Sequence, residues 1–569
     1  MFTRRQVLRG GLGAAALGLT TRRAWGLHPP CPATGGLPLL STRPVARLAH
    51  HPASVKVDGL PFYDGWTGDS FANDAVPFHA FSDPFPNGPP APTEEADLVI
   101  VGGGISGLST ALLLRRYRPI VLDLRERFGG NARGEEWAGT GFSLGSAYFI
   151  TPDPDTFLER FYRRLGLAAV ARVDAGDNPV ELNGQLVADF WDGAAGLPGE
   201  AAAYARYREI VSYFANERYP DIPLLKNKNN DWIRELDRRT LRQDIEERMN
   251  GLAVPALLAA AIQDYCYSSF GAGWEVISAA GGWNFIAAEE FGRWVLPGGN
   301  SYLVDALWKK LSQLEPGGNC PPRYLRAGCM VVDVRLLPGQ RVQVTYADRS
   351  GAYHAIRARR VVLAGSKHIV KHYLHDLETL DSAKLTAMNQ IENATYLVAN
   401  VLVNQRLESD AYDTFLLRDG AYPPIDEPTI TQQMKVTDIV NGEFARPQDL
   451  PRTVLTLYWP LPSPVARFYL LQPDGWRDFA GRAAADVRYS LDVLGLSPAA
   501  VEQVRMSRWG HAMPISAPGL IADGACEEAR RPFEGLVYFV NQDNWALPAV
   551  ETCLLEAEHF ATQIAADLH

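Results

Sequence analysis

Several features that mark other classes of protein are missing from this sequence. Its 569 residues contain no run of about 18 consecutive apolar residues, so no membrane-spanning helix is predicted. The six cysteines form no CxxC or CxxCH pattern, so neither a zinc site nor an attached c-type haem is predicted, and no metal is expected. Basic residues number 55 against 65 acidic ones, and the resulting net charge of −10 argues against a nucleic-acid partner.

The sequence does contain the composition of a folded globular protein. Hydrophobic residues make up 47% of the chain and charged residues 21%, which excludes a disordered or fibrous protein. Because a single core stops growing near ~250–300 residues, a chain of 569 residues is expected to form at least two lobes. Its acidic balance would attract a cationic small molecule.

The first residues resemble an export signal. Residues 3–9 have the sequence TRRQVLR, which matches every position of the twin-arginine pattern, and a short apolar run at 10–19 is followed by small residues suited to cleavage near Gly26. The resemblance predicts a signal peptide at 1–26 and a periplasmic or secreted protein. Twin-arginine export carries folded proteins, often with a cofactor inserted, so a cofactor is expected elsewhere in the chain.

A proline-rich segment follows the signal. Residues 27–95 hold thirteen of the 40 prolines and show no sustained periodicity, which predicts an irregular N-terminal arm that wraps the surface. Aromatic side chains are expected to anchor this arm. They are Phe62, Tyr63, Trp66, Phe78 and Phe81.

A strand, a glycine-rich turn, a helix and a second strand are predicted from residue 96 onward. The buried-strand pattern Asp97–Val101 leads into GGGISG at 102–107, a helical pattern at 108–116 and an apolar strand at 120–124. Glycines at these spacings permit a tight turn and close backbone approach to a pyrophosphate, and an acidic residue ending the second strand would bind a ribose. The residues predicted to hold a dinucleotide here are Gly102, Gly104, Ile105, Ser106, Gly107 and Asp123.

The residues after this unit resemble one family of dinucleotide-binding proteins. The sequence DLRERFGGNAR at 123–133 is similar to the E-x-R-x-x-x-G-G-x-x-R motif of the flavin-containing amine oxidase and phytoene desaturase superfamily, with Asp123 in place of the usual Glu. The resemblance implies FAD as the cofactor and a pyrophosphate whose charge Arg133 offsets. The residues that it implies at FAD are Leu124, Arg125, Gly129, Gly130, Asn131 and Arg133.

Further segments resemble the same superfamily in the same order. FSLGSAY at 142–148 is similar to the segment beside the isoalloxazine, PGGNS at 297–301 to a PGGxxxL loop, and VVDV at 331–334 to the strand that contacts adenine. Residues 539–543 and 548–552 occupy the positions of the C-terminal flavin motif, where a helix N-terminus points at the flavin. The implied contacts are Leu144, Gly145, Ser146, Ala147, Val331, Asp543, Ala549 and Val550.

The resemblance implies an α/β fold with a Rossmann-type FAD-binding domain, as in flavoproteins with two dinucleotide-binding motifs, and an interleaved α+β substrate domain. The predicted segments are a signal peptide at 1–26, an arm at 27–95, an FAD-binding domain at 96–156, 292–367 and 504–569, and a substrate domain at 157–291 and 368–503. The nearest likeness is to exported spermidine-dehydrogenase-like flavoproteins, through the twin-arginine start, the PGGN loop and SRWGH at 507–511 paired with NQD at 541–543.

Fewer residues can be assigned from the sequence to the substrate side of the flavin. Trp509, His511 and Trp545 are expected to line it as catalytic residues, with a packed core position as the alternative for each. The segment 510–519, which is rich in small residues and proline, is predicted to be a loop bending over the cofactor rather than a continuing strand. Lys367 is predicted to lie on the surface.

The function implied by the resemblance is an FAD-dependent oxidoreductase that oxidises an amine or amino acid by hydride transfer to flavin N5. The electron acceptor stays open among oxygen, a quinone and a cytochrome. A desaturase acting on an apolar substrate is an alternative, because Ala549 stands where amine oxidases carry an aromatic residue. A non-catalytic ligand-binding protein on the same fold is a second alternative. Hydride transfer needs an oriented, neutral amine, so no acid-base constellation is expected in the sequence.

Overall fold

The structure is a computed structural model. It describes residues 43–69, 84–176, 178–224, 226, 228–316, 322–426, 429–446, 450–462, 465–472 and 474–569. The predicted signal peptide and the predicted anchors Phe78 and Phe81 lie outside these residues.

Twenty-two strands are described. They are β1 (Val45–Arg47), β2 (Val55–Val57), β3 (Leu60–Gly68), β4 (Glu94–Val101), β5 (Ile120–Asp123), β6 (Gly134–Trp137), β7 (Thr140–Ser143), β8 (Tyr148–Ile150), β9 (Arg172–Asp174), β10 (Val180–Leu182), β11 (Gln185–Val187), β12 (Arg293–Val295), β13 (Leu325–Ala327), β14 (Met330–Leu337), β15 (Arg341–Ala347), β16 (Tyr353–Leu363), β17 (Asn393–Val403), β18 (Asp413–Leu416), β19 (Asp438–Asn441), β20 (Thr453–Leu461), β21 (Val501–Pro514) and β22 (Val537–Phe539).

Sixteen α-helices are described. They are α1 (Ile105–Leu113), α2 (Phe157–Leu165), α3 (Ala201–Asn216), α4 (Asp231–Asp237), α5 (Leu241–Arg248), α6 (Ala256–Phe270), α7 (Ala279–Ile286), α8 (Ser301–Ser312), α9 (Lys367–Tyr373), α10 (Leu377–Leu380), α11 (Ser382–Gln390), α12 (Thr429–Gln433), α13 (Ala466–Leu471), α14 (Gly475–Val493), α15 (Ala525–Arg530) and α16 (Val550–Asp567).

The first large sheet has the predicted Rossmann-type topology. Its order is β13-β5-β4-β16-β15-β14, with β22 also pairing β16, and β13, β5, β4, β16 and β22 run parallel. The central residues of β4 are fully buried because apolar cores lie on both faces of the sheet, with Leu98 and Ile100 in one and Val99 in the other, which explains the apolar run in the sequence. Helices α1, α8 and α16 pack together on one face, where Leu108, Leu303 and Leu554 share a core.

The second large sheet has nine strands in the order β11-β10-β18-β19-β20-β17-β21-β3-β2. One face packs against α14, where Phe479 and Val487 join a core with Leu455 and Val504. The opposite face, which carries Tyr396, faces the cavity described below. This sheet is the scaffold of the half of the molecule that the sequence predicts to bind the substrate.

The N-terminal arm is more regular than its proline content predicts. Residues 60–68 form β3, which runs parallel to β21 within the nine-stranded sheet. Phe62 is fully buried, Trp66 packs against Phe479, and Tyr63 lies beneath the guanidinium of Arg505. The expectation of an irregular arm is therefore wrong for this part, because backbone pairing with a buried strand stabilises it.

The predicted loop at 510–519 is also wrong over its first half. Strand β21 continues through Pro514, and Met513 and Pro514 pair with Ala394 and Asn393 of β17. The terminal proline is tolerated because it stands at the end of the strand. Since β21 belongs to the nine-stranded sheet, residues 504–514 lie in the substrate half and not in the FAD-binding domain to which the sequence assigned them.

Three further findings concern membrane-spanning helices, cysteines and metal sites among the described residues. None of the helices that the structure describes is long and apolar enough to cross a membrane. The four described cysteines are buried free thiols, and they are Cys266, Cys329, Cys526 and Cys553. The described ranges also contain no cluster of three or more histidine, cysteine or acidic residues arranged to hold a metal ion.

Candidate active site

Residues of both large sheets line one large cavity. Its volume is about 2660 Å³, well above the ~300–1,000 Å³ of ordinary ligand pockets, so it has room for a dinucleotide and a substrate together. The turn after β4 and the end of β5 line one part of it. Tyr396, Tyr458 and Trp509 of the nine-stranded sheet line another part.

The turn between β4 and α1 is closed to larger residues. Gly102 has a φ of +108°, and a Cβ atom on Gly107 would lie 1.8 Å from the carbonyl oxygen of Gly102. Glycine at 107 therefore lets the helix approach the strand, although this residue does not itself line the cavity. Within the described part of the chain no side chain caps α1 at Gly104, so the helix N-terminus faces the cavity with backbone N–H groups available to a phosphate.

Asp123 ends β5 inside the cavity. Its carboxylate accepts hydrogen bonds from the backbone N–H of Gly103 at 2.7 Å and of Arg125 at 2.8 Å. Burial raises the pKa of this carboxyl, while the Arg125 guanidinium and the two N–H donors oppose the rise. These bonds fix the carboxylate and leave lone pairs of both oxygens for ribose hydroxyls.

A second pair of glycines brings another backbone segment against the first turn. Gly129 and Gly130 have φ angles of +116° and +56°, and a Cβ on Gly130 would lie 3.2 Å from the Cα of Gly104. Arg133, predicted to offset pyrophosphate charge, does not line the cavity; it donates to the carbonyls of Gly130 at 3.1 Å and Gly68 at 2.8 Å. In this structure it joins the glycine pair to strand β3.

The segment 144–147 lies at the cavity and is held by hydrogen bonds from three side chains. Asn300, in the predicted PGGN loop, donates to the Ser146 hydroxyl at 2.6 Å. The Tyr458 hydroxyl donates to the Gly145 carbonyl at 2.6 Å, and the Trp509 indole donates to the Leu144 carbonyl at 2.9 Å. Gly145, Ser146 and Ala147 line the cavity, whereas Leu144 packs in the core behind it.

The C-terminal segment reaches the cavity from the other side. Asp543 accepts hydrogen bonds from the Ser366 hydroxyl and the Lys367 backbone N–H, both at 2.8 Å. Helix α16 begins at Val550 with Ala549 as its N-cap, and both residues line the cavity. The sequence predicted this arrangement of acid and helix N-terminus. Val331, predicted at the adenine, also lines the cavity.

Lys367 is not on the surface, contrary to the sequence-based expectation. Its side chain is fully buried, and its ammonium donates to the side-chain oxygens of Asn541 at 2.7 Å and Asn544 at 2.5 Å. Burial lowers the pKa of this amine to about 8. The position after a strand that suggested exposure is covered here by the loop that carries Asp543.

Trp509, His511 and Trp545, the predicted substrate-side residues, all line the cavity. Trp509 is 2% exposed and lies near the guanidiniums of Arg125 and Arg133, whose carbons are 5.9 and 5.6 Å from the ring centre. The His511 ring stacks on His368 with centroids 3.8 Å apart. The Trp545 indole donates to Glu556 at 3.0 Å. Each indole is therefore both a cavity wall and a hydrogen-bonded core group.

The main wall of the substrate half consists of residues that the sequence did not single out. Cross-strand register places Phe415 opposite Asp438, Asp438 opposite Tyr458, and Tyr458 opposite Val398, in one row across four strands. All four line the cavity, and the ring of Tyr396 stands edge-on to Tyr458 at 5.8 Å. No linear motif carries this row, because its members come from strands paired only in the folded sheet.

A buried acidic cluster lies beside this row. Arg293 donates to Glu289 at 2.6 Å and to Asp413 at 2.8 Å, and lies 3.9 Å from Asp174. Burial raises the pKa of Asp413 and, together with the neighbouring Asp413 charge, raises that of Asp438 well above its ordinary value. Glu289, Asp413 and Asp438 line the cavity.

The described residues fit an FAD molecule in this cavity. In two glycine turns a Cβ at Gly107 or Gly129 would lie within 3 Å of a neighbouring atom, so glycine allows close backbone approach, and two helices, α1 and α16, begin at the cavity wall. Asp123 and Asp543 are oriented carboxylates at two separate positions along that wall. The acidic and aromatic residues of the nine-stranded sheet line the same cavity.

Comparisons with known proteins agree with this architecture. Residues 100–165 match the family model of an NAD(P)-binding Rossmann-like domain. The oxidoreductase PigB of Serratia sp. (strain ATCC 39006) is 23% identical over 526 residues, covering 84% of this chain and 76% of that protein. A probable flavin-containing monoamine oxidase A of Dictyostelium discoideum is 26% identical over 164 residues, covering 27% of this chain and 33% of that protein. A solved putrescine oxidase variant superimposes with a TM-score of 0.59 at 14% identity, covering 84% of this chain and 100% of that one.

The fold and the site define a dinucleotide-binding α/β protein with two interleaved lobes. The comparisons confirm this predicted fold class and the predicted resemblance to the flavin-containing amine oxidase superfamily. The superfamily resemblance and the fit of the cavity both support the predicted cofactor, FAD. The likeness to the spermidine-dehydrogenase-like branch and the roles of individual site residues stay predictions.

Proposed function

We propose that this protein oxidises the C–N bond of an amine or amino acid by hydride transfer to the N5 atom of a bound FAD. Its coarser class, a flavin-dependent oxidoreductase related to the amine oxidases, rests on the superfamily resemblance and on the FAD-shaped half of the cavity. The finer statement, that the substrate is an amine, rests on the residues that line the other half of the cavity.

The observation that carries the amine proposal is the chemistry of the cavity wall beyond segment 144–147. Tyr396 and Tyr458 present two aromatic rings, and Glu289, Asp413 and Asp438 present carboxyl groups to the same space. Aromatic rings and carboxylates both attract an organic cation. An apolar substrate would offer no donor to the buried Asp413 Oδ1 atom, which has no hydrogen-bond partner among the described residues, and this is costly. The wall therefore favours an amine over the apolar substrate of a desaturase.

Separate groups of side chains are proposed to bind the cofactor and to position the substrate. The bound flavin supplies the hydride-accepting chemistry. Asp123 and the turn at 102–107 would hold the adenosine and pyrophosphate end of FAD, and Asp543 with the start of α16 would hold the flavin end. Tyr458 fixes the wall of the nine-stranded sheet to the 144–147 segment, predicted beside the flavin, through its bond to Gly145. The buried aromatic rings exclude water from the reacting carbon.

Anaerobic flavin reduction tests the proposal. The purified holoprotein is mixed with aliphatic amines, amino acids and terpenoids, and loss of the visible flavin absorbance is followed for each. We expect bleaching by at least one amine or amino acid and none by the terpenoids. A dithionite titration of the same sample gives the amplitude of full reduction. Bleaching by terpenoids alone would replace the proposal with a desaturase, and bound flavin that no compound bleaches would favour a binding protein.

Export through the twin-arginine route is part of the proposal, supported by TRRQVLR at residues 3–9. It would place the enzyme in the periplasm or outside the cell, where oxygen, a quinone or a cytochrome could accept its electrons. Mixing the reduced holoprotein with each acceptor and comparing the reoxidation rates would distinguish an oxidase from a dehydrogenase.

A further inference from the structure

We propose that Asp413 and Asp438 form a proton-accepting carboxyl pair that receives the substrate as its ammonium ion and takes its proton. The inference rests on the proposed amine-oxidising function and adds a chemical step to it. Only the neutral amine has the nitrogen lone pair that stabilises the carbon as hydride leaves. An ammonium ion entering the cavity must therefore lose a proton before it can react.

The two carboxyl groups lie on one face of the nine-stranded sheet. Asp413 pairs with Val440 in the register of β18 and β19, and Asp438 lies two residues from Val440 on the same strand. Because alternate residues of a strand share a face, both side chains point to the cavity side. Asp438 stands opposite Tyr458, whose hydroxyl binds the Gly145 carbonyl, so the pair lies next to the segment predicted at the isoalloxazine.

Asp413 has an oxygen available for a ligand. Its Oδ2 atom accepts from Arg293 at 2.8 Å, but its Oδ1 atom has no hydrogen-bond partner among the described residues, although the side chain is only 4% exposed. A buried carboxylate oxygen left without a donor is costly. Since Asp413 lines the cavity, an ammonium group of the substrate can supply the missing donor.

The surrounding charges favour a shared proton on Asp413 and Asp438. Among the described residues Arg293 is the guanidinium that forms an ion pair with Asp413, and it already has Glu289 and Asp174 as further acidic partners. So many buried carboxyls cannot all be ionised around one cation, and the neighbouring Asp413 and Asp438 therefore share protons. The titratable and charged groups that act on the pair are Arg293, Glu289, Asp174, Asp264, Tyr148, Tyr396, Tyr412 and Tyr458.

The step conserves atoms and electrons. One N–H bond of the ammonium ion breaks, its electron pair stays on nitrogen, and the proton forms an O–H bond with the carboxylate. The substrate becomes the neutral amine, and the carboxyl pair becomes one unit less negative. No oxidant or co-reactant takes part, because oxidation of the C–H bond follows separately. Burial that raises the affinity of the pair for protons also favours this transfer.

The pH dependence of flavin reduction tests the pair directly. The substrate is the fastest aliphatic amine from the panel, whose ammonium pKa lies near the ~10.4 of lysine. In the wild type, the ratio of the reduction rate constant to the dissociation constant should be nearly flat between about pH 6.5 and 8.5, since the site uses the abundant ammonium form. In Asp438→Asn it should rise about tenfold per pH unit, because only free neutral amine can react.

Two further variants separate this role from a structural one. Asp413→Asn should give the same slope, but it also removes a partner of Arg293, so Asp438→Asn is the primary variant. Glu443→Gln is the matched control: Glu443 is 2% exposed and follows β19 but does not line the cavity, and its profile should stay flat. A wild-type profile with a slope of one, or a flat Asp438→Asn profile, would overturn the proposal.

Proton counting on the unmodified holoprotein needs no variant. tert-Butylamine has no hydrogen on the carbon bonded to nitrogen, so it binds as a substrate mimic without being oxidised. Calorimetric titration at one pH in two buffers of different ionisation enthalpy gives the protons released per bound amine. We expect about none, because the pair retains the proton within the complex, whereas release of about one would contradict the pair.

The two proposals can fail separately. If no amine bleaches the flavin, the proposed oxidation is wrong, and the proton count with tert-butylamine still decides whether the carboxyl pair receives an ammonium ion. If an amine bleaches the flavin but its wild-type profile follows the free neutral amine, the oxidation stands and the carboxyl pair is rejected.

Discussion

At the residue scale, we expect FAD affinity to depend on the Asp123 side chain. Asp123→Ala removes a carboxylate already oriented by the N–H groups of Gly103 and Arg125, and loss of its bonds to ribose should weaken FAD binding by roughly 1.5–3 kcal/mol. Fluorescence titration of the apoprotein with FAD measures this change. The control is Asp97→Ala, on the same sheet with a half-exposed side chain, which should bind normally. Unchanged affinity in Asp123→Ala would remove the ribose assignment.

Lys367 should make stability depend on pH. Burial lowers the pKa of Lys367 from 10.5 to about 8, so between these values the unfolded chain binds more protons than the folded one, and stability rises as pH rises. From pH ~7.5 to ~9.5 this one group should add about 2 kcal/mol to the free energy of unfolding.

Comparison with Lys367→Met isolates this effect from that of other groups. Urea unfolding of both proteins at the two pH values measures the free energy of unfolding. Between pH ~7.5 and ~9.5 it should rise by about 2 kcal/mol more in the wild type than in the variant. An equal pH response in the two proteins would mean that the Lys367 amine titrates normally despite its burial.

At the scale of elements, the contact between β4 and α1 makes the cofactor half sensitive to a single methyl group. Gly107→Ala places Cβ 1.8 Å from the Gly102 carbonyl oxygen, so the helix must move away from the strand and the phosphate turn is lost. We expect protein purified without flavin and with a lowered melting temperature. Gly481→Ala is the control, because Gly481 lies in α14 with no heavy atom within 4 Å of the new Cβ.

The control variant Gly481→Ala should itself change the stability of the protein. Replacing an unconstrained helical glycine by alanine stabilises by about 0.5–1 kcal/mol, so Gly481→Ala should melt slightly higher and keep its flavin. Flavin absorbance per protein and thermal unfolding measure both variants. If Gly107→Ala retained flavin as well, the turn would have more freedom than its geometry indicates.

Elements whose structure follows from a local sequence pattern could be predicted from the sequence. Elements that depend on pairing with a distant strand could not. The unit from Asp97 to Asp123 combines apolar strands, glycines and a helix within thirty residues, so its structure follows from its own sequence. Strand β3 has a proline-rich context and is a strand because β21 lies beside it. The pair Asp413 and Asp438 was missed for the same reason, since sheet register alone brings the two acids to one face.

At the scale of the whole molecule, the predicted export signal can be tested apart from the fold. Replacing Arg4 and Arg5 by Lys should leave a folded, flavin-containing protein inside the cytoplasm, because the export machinery recognises that pair. Replacing Arg22 and Arg23 by Lys is the matched control, outside TRRQVLR, and should still be exported. Cell fractionation followed by flavin fluorescence measures both. Export of the Arg4 and Arg5 variant would show that residues 3–9 are not the signal.

Strand β3 has a consequence for the order in which the molecule is made. It pairs with β21 more than 430 residues later, and the adjoining Gly68 and Asp69 bind Arg133 and Arg125 of the cofactor turns. While the ribosome is still extending the chain, β3 has no partner, and these arginines lack the contacts that orient them. The flavin half therefore reaches its final form only after residue 514 has emerged, so cofactor capture belongs to the end of synthesis.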